Sequence, residues 1–405
     1  MTLLIAKNLI SCANNTVRLE KDMGILMEDG LITKVAPRES FLSIIESGSA
    51  QVIDAGEGYV LPGLIDSHVH LTFSSSVQPV DELLGDDDST LLLRAAKAAN
   101  MELRAGVTTV RDCGARGMSI LKLRDFINAG QIQGCEIISC GMPITITGGH
   151  CNFCGLECDS MDDVVKAVRW LCKNGVDFIK VMISGGNMTP GSNPMIDQYD
   201  YEMLAAIVKE AHQRRKKVSG HVHSTVGVTN AVKAGVDNLD HCSFKTADGA
   251  EYLPDVARMM VEKGLSVSPA MGKAFILPPE LAAPQPDKVA MWGAFQQSRF
   301  SITEALYRDG VLVTVSTDAG CKNVKFDEFY LTMDMMEKKV HMSKEDVLLC
   351  STARSAENLG IGSRVGQIRE GMQADIAVFA GNPMESFLNL KSPLMVFKKG
   401  ERVRL

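Results

Sequence analysis

The chain alternates short apolar runs with helix-like segments about eight times between residues 59 and 362. The apolar runs lie at residues 64–65, 107–110, 136–139, 178–182, 218–221, 265–268 and 312–315. The helix-like segments between them include residues 91–105, 160–174, 201–216, 226–234 and 300–308. Strands that alternate with helices over roughly 300 residues are typical of a parallel sheet closed into a barrel. The sequence therefore predicts an α/β fold, a (β/α)8 TIM barrel.

The two ends of the chain have a different pattern. There, short apolar–polar runs are broken by turn-forming pairs such as Asn14-Asn15, Asp29-Gly30 and Lys399-Gly400. Such runs indicate short strands joined by tight turns. We therefore expect one small β domain built from residues 1–57 and 362–405, with residues 58–361 in the barrel.

Composition argues against several classes of function. Of the 405 residues, 45% are hydrophobic. The net charge is −7, and the basic residues do not form the basic face that a nucleic-acid surface needs. No run approaches the ~20 apolar residues of a membrane span, and the first residues lack a signal-peptide pattern. Eleven cysteines scattered over a long chain are typical of reduced thiols. The expectation is a cytoplasmic protein without nucleic-acid or membrane partners.

Five of the eight histidines fall at the C-terminal ends of predicted strands, where barrel enzymes place their active sites. Residues i and i+2 of a strand point to the same side, so His68 and His70 face the barrel mouth together. The same spacing repeats at His221 and His223. Three further residues end strands of this region: Lys180, His241 and Asp318. Imidazole and carboxylate groups are common zinc ligands, so the sequence predicts a metal site at this face.

This ordered set of residues resembles the amidohydrolase superfamily. Residues 61–70, Leu-Pro-Gly-Leu-Ile-Asp-Ser-His-Val-His, are similar to the first barrel strand of that family, and residues 366–375 and 396–400 are similar to its C-terminal strands. Residues 147–150, 177–186 and 221–223 are similar to its prolidase-like branch of Xaa-Pro dipeptidases and zinc-dependent carboxypeptidases. The resemblance covers nearly the whole chain and implies that the terminal β domain is a β-sandwich.

The resemblance implies two divalent metal ions, with zinc as the expected metal. His68, His70 and Asp318 would hold one ion, and His221 with His241 would hold the other. Lys180, carboxylated by CO2, would bridge the pair. Because a protonated lysine is a poor ligand, we expect burial beside cations to lower the pKa of Lys180.

The same resemblance implies hydrolysis of the amide or peptide C–N bond of a dipeptide or an N-acyl amino acid. A hydroxide that bridges the metal ions would attack the carbonyl carbon, and Asp318 would pass a proton to the leaving amine. His150 and His223 would face the substrate, with His223 supporting the carbonyl oxygen. A homo-oligomer is also implied by the family alone.

Two other functions stay open at this stage. A mononuclear deaminase or an imidazolonepropionase-like cyclic-amide hydrolase needs no bridging ligand, so Lys180 argues against it. A non-catalytic scaffold is disfavoured because the ligand set is complete. The loop with Cys151, Cys154 and Cys158 departs from the family pattern. Its spacing is typical of small packed residues rather than of a metal site. The sequence leaves the substrate side chains, the native metal and the oligomer number open.

Overall fold

The computed structural model describes residues 1–276 and 286–405. Its strands are β1 Thr2–Ser11, β2 Arg18–Glu28, β3 Leu31–Pro37, β4 Gln51–Asp54, β5 Tyr59–Pro62, β6 Leu64–Val69, β7 Val107–Asp112, β8 Glu136–Ser139, β9 Ile144–Thr145, β10 Leu156–Glu157, β11 Ile179–Met182, β12 Val218–Ser224, β13 Asn238–Thr246, β14 Gly249–Ala250, β15 Ser266–Ser268, β16 Leu312–Val313, β17 Ile376–Phe379, β18 Pro393–Lys398 and β19 Glu401–Arg402. Its α-helices are α1 Leu42–Ser47, α2 Pro79–Gly85, α3 Asp88–Arg104, α4 Ser119–Asn128, α5 Met161–Lys173, α6 Tyr201–His212, α7 Thr225–Ala234, α8 Pro254–Lys263, α9 Pro286–Arg308, α10 Phe329–Lys338, α11 Lys344–Cys350 and α12 Ala353–Asn358. Short 3-10 helices span Arg38–Phe41, Lys273–Phe275 and Phe387–Leu390.

Both ends of the chain contribute to one sheet. Its strand order is β19-β18-β17-β5-β1-β2-β3, with β4 pairing parallel to β1. The antiparallel pair of β17 and β5 joins the C-terminal strands to the N-terminal ones. Side chains alternate along β1, so that Leu4 packs in one apolar cluster while Leu3 packs in another beside Phe41. The β-sandwich form and the domain limits at 57/58 and 361/362 stay predictions.

The central strands run parallel, as expected for an α/β fold. Strands β6, β7 and β8 form one parallel sheet, and β11, β12, β13, β15 and β16 follow one another in a second. The backbone N–H of Asp177, just before β11, donates to the carbonyl of Ser139, the last residue of β8, at 2.8 Å. At the other edges, Val69 at the end of β6 forms a parallel bridge with Ala319. These contacts connect the two parallel sheets at both pairs of edges and bring the C-terminal ends of their strands together.

Helices with clear capping signals begin and end close to their predicted positions. Ser160 and Asp163 form a reciprocal capping box at the start of α5, whose Val164, Val168 and Leu171 are buried. By contrast, α9 begins at Pro286 rather than at residue 300. Its first half lacks a consistent apolar face, so hydrophobic periodicity does not indicate a helix there. Among the described residues, no helix combines the length and apolar character needed to cross a membrane.

Candidate metal centre and substrate pocket

A cavity of about 290 Å³ lies at the C-terminal ends of the parallel strands. All eight residues selected from the sequence line it: His68, His70, His150, Lys180, His221, His223, His241 and Asp318. They come from β6 and the residue that follows it, from β11, β12 and β13, from the loop after β9 and from the segment after β16. The parallel strands place these side chains together because their carboxyl ends share one edge.

The first group of ligand atoms consists of His68, His70 and Asp318. Nε2 of His68 lies 3.4 Å from Nε2 of His70 and 3.4 Å from Oδ1 of Asp318. Nδ1 of His70 lies 3.0 Å from the carbonyl oxygen of Gly114, which can only accept a hydrogen bond. His70 therefore carries its proton on Nδ1, and its Nε2 lone pair is free for a metal ion.

The second group consists of His221, His223 and His241, whose ligand atoms all lie within 4.8 Å of one another. The ring of His241 is stacked on that of His223 with centroids 4.8 Å apart. Nε2 of His221 donates to the carbonyl of Gly185 at 3.3 Å, which leaves its Nδ1 free. Burial, and then the neighbouring cations, hold the pKa of each of these three histidines well below its usual value. Neutral imidazole is the form that binds metals.

His223 lies nearer to the metal ligands than the sequence indicated. The resemblance placed His221 and His241 on one ion and gave His223 to the substrate, whereas the structure brings all three within ligand reach. Nδ1 of His223 lies 2.7 Å from the Ser243 hydroxyl. The geometry is compatible with either role, and the assignment to the substrate stays a prediction.

Lys180 forms a buried ion pair with Asp240, a residue that the sequence pattern did not indicate. Burial opposes the ammonium form, but the Asp240 carboxylate outweighs it and raises the pKa of Lys180. Burial and the neighbouring Arg111 do lower this pKa, but the net shift is upward because the Asp240 carboxylate lies directly on the ammonium group. The expected lowering beside bound metal ions stays a prediction.

Asp240 is the centre of a hydrogen-bond network behind the ligands. Its carboxylate accepts from the following groups: His68 Nδ1 at 3.0 Å, Arg111 Nη2 at 2.8 Å, Asn238 Nδ2 at 3.0 Å, Ser219 Oγ at 2.6 Å and Lys180 Nζ. Burial alone would raise the pKa of Asp240, but Lys180, His68 and Arg111 together hold it well below its usual range. The bond to His68 fixes the proton on Nδ1 and frees Nε2. The available sequence signal was an aspartate directly before His241, at the end of a predicted strand.

The backbone is strained at two of the proposed metal ligands. His241 and Asp318 both have φ of 66°, a left-handed conformation that costs free energy in residues other than glycine. Next to Asp318, Gly320 has φ of 100°, and a Cβ there would lie 2.2 Å from the carbonyl oxygen of His70. The backbone at Gly320 thus packs directly against His70 of the first ligand group and leaves no room for a side chain.

His150 and the cysteine loop lie beside the second ligand group. The ring of His150 is 4.4 Å from that of His221 between centroids, and its Nδ1 lies 3.1 Å from the Thr189 hydroxyl. Cys151 and Cys154 pack in a small apolar cluster, whereas Cys158 belongs to the main core. Within residues 1–276 and 286–405, the candidate metal groups contain none of these three thiols.

A further part of the cavity wall was not foreseen from the sequence. It consists of Phe275, Trp292, Phe295 and Arg299. These residues come from the end of the 3-10 helix Lys273–Phe275 and from the part of α9 that the apolar pattern missed.

The family of the chain follows from its similarity to known proteins. The model of the amidohydrolase family matches residues 59–403. The chain belongs to the amidohydrolase family. It is similar to ochratoxinase of Aspergillus niger, with 27% identity over 371 residues that cover 83% of this chain and 73% of that protein. It is also similar to imidazolonepropionase of Shewanella oneidensis, with 24% identity over 390 residues, 88% of this chain and 86% of that protein.

The same fold recurs in solved structures. The crystal structure of a Xaa-Pro dipeptidase with bound methionine in its active site covers 99% of both chains with a TM-score of 0.85 and 24% identity. Amidohydrolases generally use divalent metals, and the imidazole and carboxylate groups of this cavity are a suitable donor set. The lone pairs freed on His68, His70 and His221 add to that fit.

Proposed function

We propose that this amidohydrolase is a binuclear metal-dependent hydrolase with a (β/α)8 barrel, and that it cleaves the amide or peptide C–N bond of a dipeptide or an N-acyl amino acid. One observation carries the proposal. A single cavity brings together two groups of ligand atoms and the buried Lys180. A site with that many neutral imidazoles has more donors than a single ion needs.

Two divalent ions, with zinc as the proposed metal, would be bridged by carboxylated Lys180. His68, His70 and Asp318 would hold one ion, and His221 with His241 the other. When bound, such ions supply Lewis acidity for the activation of water and of the scissile carbonyl.

The side chains of the cavity would handle the protons. The Asp318 side chain is 22% exposed and lies 3.5 Å from Nε2 of His70, so it borders both the ligands and the open cavity. There it would accept a proton from the attacking water and return it to the leaving amine, which is too basic to depart as an anion. If the Ser243 hydroxyl donates to Nδ1 of His223, that ring keeps its proton on Nε2 for the substrate carbonyl oxygen. His150 would contact the substrate from the neighbouring loop.

The activities of similar proteins support hydrolysis of a C–N bond as the class of reaction. One solved relative is a Xaa-Pro dipeptidase and one curated relative is an ochratoxinase. A second candidate, ring opening of a cyclic amide as in an imidazolonepropionase, is favoured by the match to that enzyme over 88% of this chain. Release of a free amino acid distinguishes the two.

A product screen tests the proposal. Zinc-loaded protein is incubated with pooled dipeptides, N-acyl amino acids, imidazolones and aminated heterocycles, and the release of amino acids and of ammonia is measured separately. Amino-acid release that disappears in Asp318→Asn and persists in Asp334→Asn is the expected result. Asp334 is the matched control because it lies on α10 in an ion pair with Lys338. Ring opening or ammonia release without a free amino acid would refute the peptidase and acylase assignment.

We also propose that the protein is a cytoplasmic homo-oligomer. The scattered cysteines are unpaired in the structure, as a reducing compartment would leave them. Light scattering after size-exclusion chromatography tests the assembly, and a mass of one chain, 43.9 kDa, would refute it.

A further inference from the structure

Three aromatic rings of the cavity contact one another. The ring centroids of Trp292 and Phe295 are 5.5 Å apart, and that of Phe275 lies 5.8 Å from Trp292 and 6.0 Å from Phe295. We call these three residues the aromatic wall. Neither the metal ligands nor the proton transfer uses them, so they are free to contact the non-reacting part of a substrate.

Arg299 lies against the aromatic wall as a buried cation. Its residue surface is 1% exposed, and its guanidinium carbon lies 5.4 Å from the Phe275 centroid and 5.9 Å from the Phe295 centroid. Nη2 donates to the carbonyl of Pro269, while Nε has no hydrogen-bond partner. Burial lowers the pKa of Arg299 to about 10, so the side chain stays cationic at neutral pH.

Within the described parts of the chain, no carboxylate forms an ion pair with Arg299. Asp318 is the carboxylate whose charge reaches it, beside the Cys242 thiol, and Asp318 is already one of the proposed metal ligands. A buried charge without a counter-charge is costly. Such a cation, with a free donor and a place in the cavity wall, has the properties of a binding site for an anion.

Lys245 adds a second positive charge on the same side. Its Nζ lies 5.3 Å from the Phe295 centroid, on a half-buried side chain. Arg299 itself lines the same cavity as His223, the proposed substrate-facing histidine, so it does not lie on a remote surface.

We propose that Arg299 binds the carboxylate of the substrate while the aromatic wall packs the apolar side chain beside it. The inference rests on the proposed amide hydrolysis and narrows its substrate class. The substrates would be N-acyl amino acids and dipeptides with a free C-terminal carboxylate and a large apolar C-terminal residue. Arg299 is thus a specificity-determining residue.

Kinetics with two matched substrates test this role. N-acetylphenylalanine carries the carboxylate, and N-acetylphenethylamine lacks it. We expect Arg299→Gln to lower kcat/KM for N-acetylphenylalanine at least tenfold, about the value of one charge-assisted hydrogen bond, with little change for N-acetylphenethylamine. Arg299→Lys should recover part of the loss. Arg308→Gln, on the exposed end of the same helix, is the control and should change neither. An equal loss on both substrates would mean that Arg299 only supports the fold, and would overturn the inference.

Binding measurements separate this inference from the proposed reaction. If neither amide is hydrolysed, the proposed function fails, but calorimetry with 3-phenylpropanoate and 3-phenylpropanamide still tests the site. Zinc-loaded parent protein should bind the acid at least tenfold more tightly than the amide, and Arg299→Gln should lose this preference. No preference in the parent, which needs no variant to fold, would overturn the inference. A preference for the acid that persists in Arg299→Gln would also overturn the inference, because the carboxylate would then be bound by the metal ions.

Discussion

Replacement of Asp240 by asparagine should destabilise the protein far more than removal of an ordinary ion pair. The substitution keeps the size of the side chain but removes the charge that faces Arg111 and Lys180, two buried cations. Removing one partner of a buried ion pair costs about 3–5 kcal/mol, because the other charge stays buried and unpaired. Asp334→Asn removes an exposed pair within α10 and should cost about 0.3–0.5 kcal/mol.

Urea denaturation followed by circular dichroism measures both free energies of unfolding, with a chelator present so that metal binding does not contribute. The double variant Asp240→Asn/Lys180→Met should recover part of the free energy of unfolding that Asp240→Asn loses, because one unpaired cation is then removed. In a separate titration, Asp240→Asn should weaken zinc binding by about 10–100-fold, since the bond that orients His68 is altered. A loss of stability no larger than that of Asp334→Asn would refute the argument from the buried network.

Other predictions concern the proposed chemistry and one buried acid. Lys180→Ala should bind markedly less metal at the second site, and two full metal equivalents by elemental analysis, with no effect of CO2-free refolding on the parent, would exclude the carbamate bridge. Asp318→Asn should keep its metal but lower kcat at least about 100-fold, and a near-normal rate would show that another group moves the proton. His223→Asn should keep two metal equivalents and lower kcat, whereas loss of one equivalent would reassign this residue to the metal. Glu102 is buried with neither carboxylate oxygen hydrogen-bonded, and burial raises its pKa well above 4.5. Since the folded state then binds more protons than the unfolded state, Glu102 destabilises the protein increasingly as pH rises above about 4.5. Glu102→Gln should therefore be more stable than the parent at pH 8 and nearly equal to it at pH 4, and a difference independent of pH in urea titrations would contradict the assignment.

Local signals were sufficient to locate the strand ends and the residues on them. The predicted strand at 136–139 coincides with β8, and the i, i+2 pairs His68/His70 and His221/His223 both reach the cavity. These features depend on a few neighbouring residues, so periodicity and side-chain alternation suffice.

The support behind the ligands could not be predicted in the same way. Asp240 contacts His68, Arg111 and Lys180, which are 172, 129 and 60 residues away in the sequence. Nothing local to any of these residues specifies such a pairing. Arg299 was missed for a different reason, because it lies just before the segment whose apolar spacing indicated a helix.

The sheet that joins both termini also sets an order of events during synthesis. Strand β5 leaves the ribosome long before its partner β17, which begins at Ile376. At about 5–20 residues per second, the roughly 300 intervening residues take about 15–60 s to translate. During that time the edge of β5 is open to pairing with other chains, which makes it an aggregation hazard. A C-terminal truncation that removes β17 would make this exposed edge permanent, although it would leave every residue of the metal centre in place.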